Sequence, residues 1–328
     1  MTDRLGWCVV GCGWVARDYV LPAIIASRNG RLAAVCDRSD AALSQVSGDP
    51  FRTTDLAAAV SAPGVSAVYV ATPNHAHRTV VEAAATAGKH VLCEKPMAAT
   101  AADARAMVAA CDRAGVTYAT AYDQRFHAAH RQLARLVAAG KLGTVTQARV
   151  HYACWLPPDW AADNWRADPA RAGGGAVIDL APHGLDLLEV VLGDEWAELH
   201  ALTQRRVHAY PVDDGGVLMG RMKSGALATL HVGYNCPDAY PRRTLELIGT
   251  AARTVCVDTM GQTPGGTLTL TAAATGSDTA VSLDDDRSPF LVQVEAFADA
   301  LLTGAAYPFP AARDLRLHEL LAAALGGA

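Results

Sequence analysis

The sequence has no run of Lys or Arg. Its 28 basic and 33 acidic side chains are scattered along 328 residues, for a formal net charge of −5. Nothing in it would track a phosphate backbone, so nucleic acid is excluded as the expected partner. There is also no CxxC pair and no Cys/His group at zinc spacing. The eight cysteines, Cys8, Cys12, Cys36, Cys93, Cys111, Cys154, Cys236 and Cys256, stand singly, several inside apolar runs. They read as reduced, mostly buried thiols of a cytosolic protein with no bound metal. No apolar stretch approaches the roughly 20 residues of a membrane helix, so no membrane partner is expected. The opening "MTDRLGWCVVGCGW" lacks the basic and apolar regions of a secretory leader, which makes the cytoplasm the expected compartment. Repeats are absent, and the Ala-rich segments carry helical patterns rather than linker composition.

What the chain does have is apolar content, 51% of its residues, enough for two buried cores. Over the first third, short β-branched runs ("WCVVG", "RLAAVCD", "SAVYVATP", "HVLCEKP", "VTYATAYD") alternate with helical patterns. That alternation predicts βαβ units around a buried parallel sheet. From about Arg125 the pattern turns to strands: 144–154, 196–207, 215–222, 225–234, 243–250, 252–259 and 266–273. Ser224-Gly225 supplies hairpin chemistry between two of them, because glycine tolerates positive φ. Two amphipathic helices close the pattern, the first opened by Ser288-Pro289 and stopped by Gly304. The expected fold is α/β: an N-terminal doubly wound parallel Rossmann domain over 1–123, then an α/β domain with a large, mostly antiparallel open sheet over 124–328. A return of the last helix onto the first domain is compatible with this division.

"VVGCGWVA" (9–16) is a G-x-G-x-x-A fingerprint. Gly11 permits the tight strand-to-helix turn, Gly13 lets a pyrophosphate approach the backbone, and Ala16 allows close helix–sheet packing. Trp14 and Val15 then open the helix whose N-terminus faces the phosphates. By itself the fingerprint is also an ordinary tight turn. Here Asp37 answers it at the end of the next strand, where a carboxylate binds the adenosine ribose 2′-OH. Asp37 favours NAD, while its neighbour Arg38 keeps NADP open, since it could pair with a 2′-phosphate or stack on adenine. Thr72, Pro73, Asn74 and His75 end another strand at the sheet edge where cofactors lie; the alternative is a Pro-Asn turn capping a helix. Glu94 and Lys95 of "LCEKP" end the strand after that, and Arg125 follows the sixth.

Later, "GGGAVIDLAPHGLDLL" (173–188) sets a glycine triplet before Asp179, His183 and Asp186. Residues four apart share a helical face, so Asp179 and His183 point the same way. The glycines are read as letting the backbone approach a ligand. Asp186 is read as holding the helix, an inter-domain contact or a substrate. The clusters "VDDGG" (212–216) and "DDD" (284–286) are read as solvated turns without chemistry.

In this order, the G-x-G-x-x-A, "TPNHAH", "EKP" and D-x-x-x-H motifs resemble the Gfo/Idh/MocA family of oxidoreductases over nearly the whole chain. The last two in combination are far more specific than the glycine fingerprint. The resemblance implies a two-domain NAD(P)-dependent dehydrogenase or reductase acting on sugars, cyclitols and related polyols. It implies Lys95 as the active-site lysine, Asp179 as the substrate-binding acidic residue and His183 as the acid/base. It also implies a homodimer or homotetramer assembled through the open face of the second-domain sheet.

Imidazole chemistry suits that role. With an unperturbed pKa of about 6.5, His183 can take a hydroxyl proton near neutral pH as hydride leaves the same carbon. Lys95 would stabilise a developing alkoxide. Substrate contacts are expected from "YDQRFH" (122–127) and from the loop 152–175, with Trp155, Trp165 and Arg166 foremost and Trp160, Asp159, Asp163 and Asp168 nearby. Aromatic faces against C–H surfaces and carboxylates against hydroxyl or ammonium groups suit a sugar or aminosugar; the tryptophans equally suit loop staples. Two other readings stand beside this one: a ketosugar reductase for a nucleotide-linked or antibiotic-type aminosugar, and a non-enzymatic NAD(H)-binding sensor.

Overall fold

A computed structural model describes residues 4–162, 164–241 and 243–326. Asp163, named above in the substrate loop, lies outside the described residues. The first sheet is built from β1 (Leu5–Val10), β2 (Gly30–Cys36), β3 (Phe51–Thr53), β4 (Ala67–Val70), β5 (His90–Glu94) and β6 (Tyr118–Ala121). Its order is β3-β2-β1-β4-β5-β6 and every pairing is parallel. β1 and β4 are buried along their whole length, as a parallel sheet covered on both faces requires. The helices between them are α1 (Leu21–Ala26), α2 (Asp40–Ser44), α3 (Leu56–Val60), α4 (His77–Thr86) and α5 (Ala101–Ala114). Small residues dominate the core they share with the sheet, such as Ala34, Ala59, Val68, Val81 and Ala104.

The second sheet comprises β7 (Val145–Ala153), β8 (Trp196–Gln204), β9 (Gly215–Met222), β10 (Leu227–Gly233), β11 (Arg243–Gly249), β12 (Ala252–Val257), β13 (Thr267–Ala272) and β14 (Asp278–Ala280). Its order is β14-β13-β12-β11-β7-β10-β9-β8. All pairings are antiparallel except β7 with β10. The β9–β10 hairpin turns at Gly225, φ 97°, as its sequence predicts. β3 and β14, three residues each, are too short for period-two alternation to reveal them. On one face of this sheet lies α8 (Ala176–Leu192), after α6 (Ala128–Ala138) and α7 (Pro169–Ala172). A Cβ on Gly184 would sit 2.6 Å from Leu230, so glycine lets α8 settle onto β10 and β7.

Two compact units result: Met1–Ala121 with Phe290–His318, and Tyr122–Pro289 with Glu319–Ala328. Most of α9 (Pro289–Thr303) and the first half of α10 (Ala311–Ala324) therefore belong with the parallel sheet, whereas the sequence division began the second domain at 124 and allowed only the last helix to return. Specific bonds tie them there. Asp314 accepts from the Thr120 amide at 3.0 Å, Glu295 accepts from the Arg28 amide at 3.0 Å, and Phe297 meets Trp7 at 5.7 Å.

Candidate active site

In the first unit, the order of the parallel strands reverses direction between β1 and β4, the switch point at which ligands meet an open α/β sheet. Gly11 follows β1 with φ 93°, and a Cβ there would lie 2.6 Å from the Ala71 carbonyl oxygen. Gly13 is exposed, with nothing within 4 Å of the position a Cβ would take. The next residues open the helical segment, with Val15 half-buried and Ala16 fully buried. Trp14 is 44% exposed and stands edge-on to Tyr19, which stacks on Phe290 at 5.3 Å.

Asp37 ends β2 beside this loop. Its two oxygens accept from the amides of Cys12 at 2.7 Å and Ser39 at 2.9 Å. The carboxylate is thus fixed at the glycine turn, while Arg38 is exposed. Burial, with the Asp37 charge as the next cause, pushes the Cys12 thiol up to about 12, so this cysteine is an inert packing group. A turn open at Gly13, helix amides behind it and an anchored carboxylate fit a dinucleotide.

β4 and β5 supply the next loops. Thr72 and Pro73 are half-buried, Asn74 is buried and His75 is exposed. Glu94 accepts from the Tyr69 hydroxyl at 2.7 Å, and Lys95, half-buried, precedes a cis proline. Between the loops sits His77, which the motif reading passed over. It is fully buried, with Nδ1 at 3.1 Å from the Met97 carbonyl and Nε2 at 3.0 Å from the Thr72 carbonyl. Burial lowers its pKa, so the neutral ring donates its one N–H to one of these carbonyls and packs against the other.

In the second unit α8 carries Asp179 and His183 on one face, as the spacing predicts. Asp179 accepts from the Tyr234 hydroxyl at 2.8 Å. Burial and the Asp179 charge raise the Tyr234 pKa, so the phenol remains a donor. His183 is 4% exposed; its Nδ1 lies 3.6 Å from Asp123 Oδ1, and Tyr152 stands edge-on to its ring at 5.5 Å. Neither Asp123 nor Tyr234 is legible from local pattern, because each meets α8 only through the tertiary fold.

Several sequence expectations take another form. Arg125, expected at the cofactor, forms an ion pair with Asp186; both side chains are fully buried, at 2.7 Å. Its Nε lies 2.8 and 2.9 Å from the two carboxylate oxygens, and the guanidinium lies over Tyr122. A charge buried this deeply needs an opposite one, which settles Asp186 as the residue that holds the helix. The glycine triplet also serves the fold: a Cβ on Gly175 would lie 2.2 Å from the Asp213 carbonyl oxygen and one on Gly174 2.6 Å from Ile178. Nor is "VDDGG" a solvated turn. Asp213 caps α8 through the amides of Gly175 and Val177, both at 2.8 Å, and fully buried Asp214 gathers the amides of Arg206, Val207 and His208. In "DDD", Asp285 pairs with Arg131 and Arg287, while Asp284 and Asp286 are exposed.

In the substrate loop it is Trp160 that reaches the Asp179 partner, its ring 5.3 Å from Tyr234 and 5.3 Å from Tyr210. Trp155 is 37% exposed and stands edge-on to His208. Trp165 carries the Arg166 guanidinium over its ring at 4.4 Å, and Asp168 caps α7. Among the described residues no group of three or more His, Cys, Asp or Glu is placed to hold a metal ion, and no helix is long and apolar enough to cross a membrane.

Comparison with known proteins gives the same two parts. The model of the oxidoreductase family with an NAD-binding Rossmann fold matches residues 5–122, and that of the GFO/IDH/MocA C-terminal domain matches 130–255. The chain is 37% identical over 268 residues to the 1,5-anhydro-D-fructose reductase of Ensifer adhaerens, covering 80% of this chain and 79% of that protein. It is 31% identical over 299 residues to D-xylose 1-dehydrogenase (NADP(+)) 2 of Haloferax volcanii, covering 90% and 89%. Among solved structures, the aldose-aldose oxidoreductase of Caulobacter crescentus, complexed with glycerol, superposes with a TM-score of 0.88 at 26% identity, covering 99% of this chain and 98% of that one. With both family models matched in order, the chain belongs to the Gfo/Idh/MocA family of oxidoreductases and carries that family's NAD-binding Rossmann domain.

Proposed function

We propose that the protein is a cytoplasmic NAD(P)-dependent sugar oxidoreductase, transferring hydride between nicotinamide and a secondary alcohol of a sugar, aminosugar or cyclitol. The observation that carries this reading is the face of α8: Asp179 and His183 side by side, the first bonded to Tyr234 and the second against a buried carboxylate. Similarity to enzymes named for anhydrofructose and xylose supports the substrate class. The bound nicotinamide supplies the hydride acceptor or donor. His183 takes the hydroxyl proton in oxidation and returns it in reduction. Lys95 stabilises negative charge on that oxygen, and Asp179 orients the neighbouring hydroxyls. Trp160 and Trp155 offer ring faces to the sugar C–H surface.

The test is NAD(P)H absorbance with both cofactors against D-xylose, 1,5-anhydro-D-fructose, myo-inositol and glucosamine. The expected result is turnover of one sugar class, reduced about 100-fold or more in His183→Ala and in Lys95→Ala. Undiminished turnover in both variants would sink the assignment.

We further propose assembly into a homodimer or homotetramer through the exposed face of the second sheet. Leu202, Met219 and Leu227 are 71%, 52% and 53% exposed on neighbouring strands of it. The charges on that face are already paired among themselves, Arg221 with Glu198 and Arg149 with Glu246, so a second copy would meet a neutral, partly apolar surface.

A further inference from the structure

Asp123 lies two residues beyond β6 and is 3% exposed. Burying a carboxylate without compensation is costly, so its neighbours indicate its purpose. One oxygen, Oδ2, accepts from Gln124 Nε2 at 2.9 Å, and that amide also donates to the Gly261 carbonyl at 2.9 Å. The other, Oδ1, faces His183 Nδ1 at 3.6 Å. The Tyr152 ring closes the side of the imidazole, at 77° to it. Burial, then the charge of Asp123, raises the Tyr152 pKa, which leaves that hydroxyl neutral and Asp123 the negative group facing the ring. The carboxylate is thus held by a neutral amide that is itself anchored, and directed at one nitrogen of the imidazole.

We propose that Asp123 is a positioning residue that acts through His183, an inference that rests on the acid/base reading above. A carboxylate opposite Nδ1 keeps the proton on that nitrogen and leaves the Nε2 lone pair for the substrate. In oxidation the hydroxyl proton passes to Nε2, the O–H electron pair becomes the second C–O bond, and the C–H pair leaves as hydride for the oxidised nicotinamide. The imidazolium so formed carries both protons, and the Asp123 charge offsets its own. Asp123 takes no proton. The arrangement makes His183 a stronger base than the same buried ring would be without the carboxylate, and holds its ring in one orientation.

The direct test is NMR of the full chain with 15N-labelled histidine, which needs no substrate. In the wild type the expected His183 tautomer is Nδ1–H; a dominant Nε2–H tautomer overturns the inference without any variant having to fold. In Asp123→Asn the His183 titration midpoint is expected about one unit lower. Kinetics with D-xylose and 1,5-anhydro-D-fructose then give kcat lowered about 10- to 100-fold, with KM and cofactor affinity little changed and the His183 limb of the pH profile moved down. On a His183→Ala background Asp123→Asn is expected to add nothing. An unmoved midpoint, or a full independent loss on that background, overturns the role of Asp123 alone. Full turnover by His183→Ala instead overturns the acid/base reading beneath it.

Discussion

Asp37 is fixed in the glycine turn by two amides, and we propose that it sets the cofactor preference. Replacing it with Ala is expected to raise the KM for NAD about tenfold and to narrow discrimination against NADP, because the repulsion of a 2′-phosphate goes with the carboxylate. Steady-state kinetics with the two cofactors measure both effects. His77 is a different case, a neutral ring between two carbonyls. Its replacement by Ala strips the donor from one buried carbonyl oxygen and leaves a cavity, and is expected to cost about 2–4 kcal/mol in urea denaturation, as well as loosening both loops. At this scale the sequence was legible where chemistry repeats at a fixed local spacing. Asp37 follows the glycine turn, and Asp179 and His183 are one helical turn apart. It was silent on Tyr234 and His77 and named Asp123 only within 122–127 as a source of substrate contacts, because a carboxylate after a strand or a lone tyrosine acquires its particular partner only from what folds against it. It did not foresee that Arg125, placed after β6 where a cofactor contact is expected, is matched to Asp186, because that pair is made across the tertiary fold.

Among the elements, α8 shows how the site depends on buried charge. Its apolar positions pack on the sheet, while Asp186 binds Arg125 at the start of the second unit. Breaking that pair on one side only, with Arg125→Met, is expected to cost about 3–5 kcal/mol, since a buried carboxylate loses its opposite charge. The double change Arg125→Met with Asp186→Leu is expected to restore much of the loss, and chemical denaturation of the three variants decides it. Strands were largely visible from sequence, because alternation and the Ser224-Gly225 turn are local. The parallel pairing of β7 with β10 was not, because periodicity marks a strand without naming its neighbour.

For the molecule as a whole, acid is the expected weakness. Burial, helped by the Arg131 charge and only partly offset by a hydrogen bond to the Thr263 backbone, brings His127 down to about 4. Burial again, with the neighbouring His127, brings His130 down to about 3. The folded chain keeps both neutral, while the unfolded chain protonates them below about 6.5, so their contribution is complete above that pH and is lost as pH falls toward the folded values. Stability should fall by up to about 1.4 kcal/mol per pH unit for each histidine across that window. Urea midpoints at pH 7, 6 and 5 measure the slope, which His130→Gln is expected to reduce. Assembly is read out separately: Leu227→Asp, which puts a charge on the exposed sheet face, is expected to shift the mass seen by light scattering toward the monomer.

The return of α9 and α10 to the first unit has a consequence for synthesis. The cofactor-binding unit is discontinuous, with the second unit inserted into it. As the chain leaves the ribosome, its parallel sheet emerges before the second sheet, yet Trp7, Arg28 and Thr120 receive their partners only once residues 295–314 have been translated. The second unit takes only Glu319–Ala328 from beyond Pro289, so its eight-stranded sheet and α8 are free to form before the first unit is complete. A nascent chain stalled before Phe290 would expose an unsealed edge of the Rossmann core, and that interval is when chaperones have the most to hold.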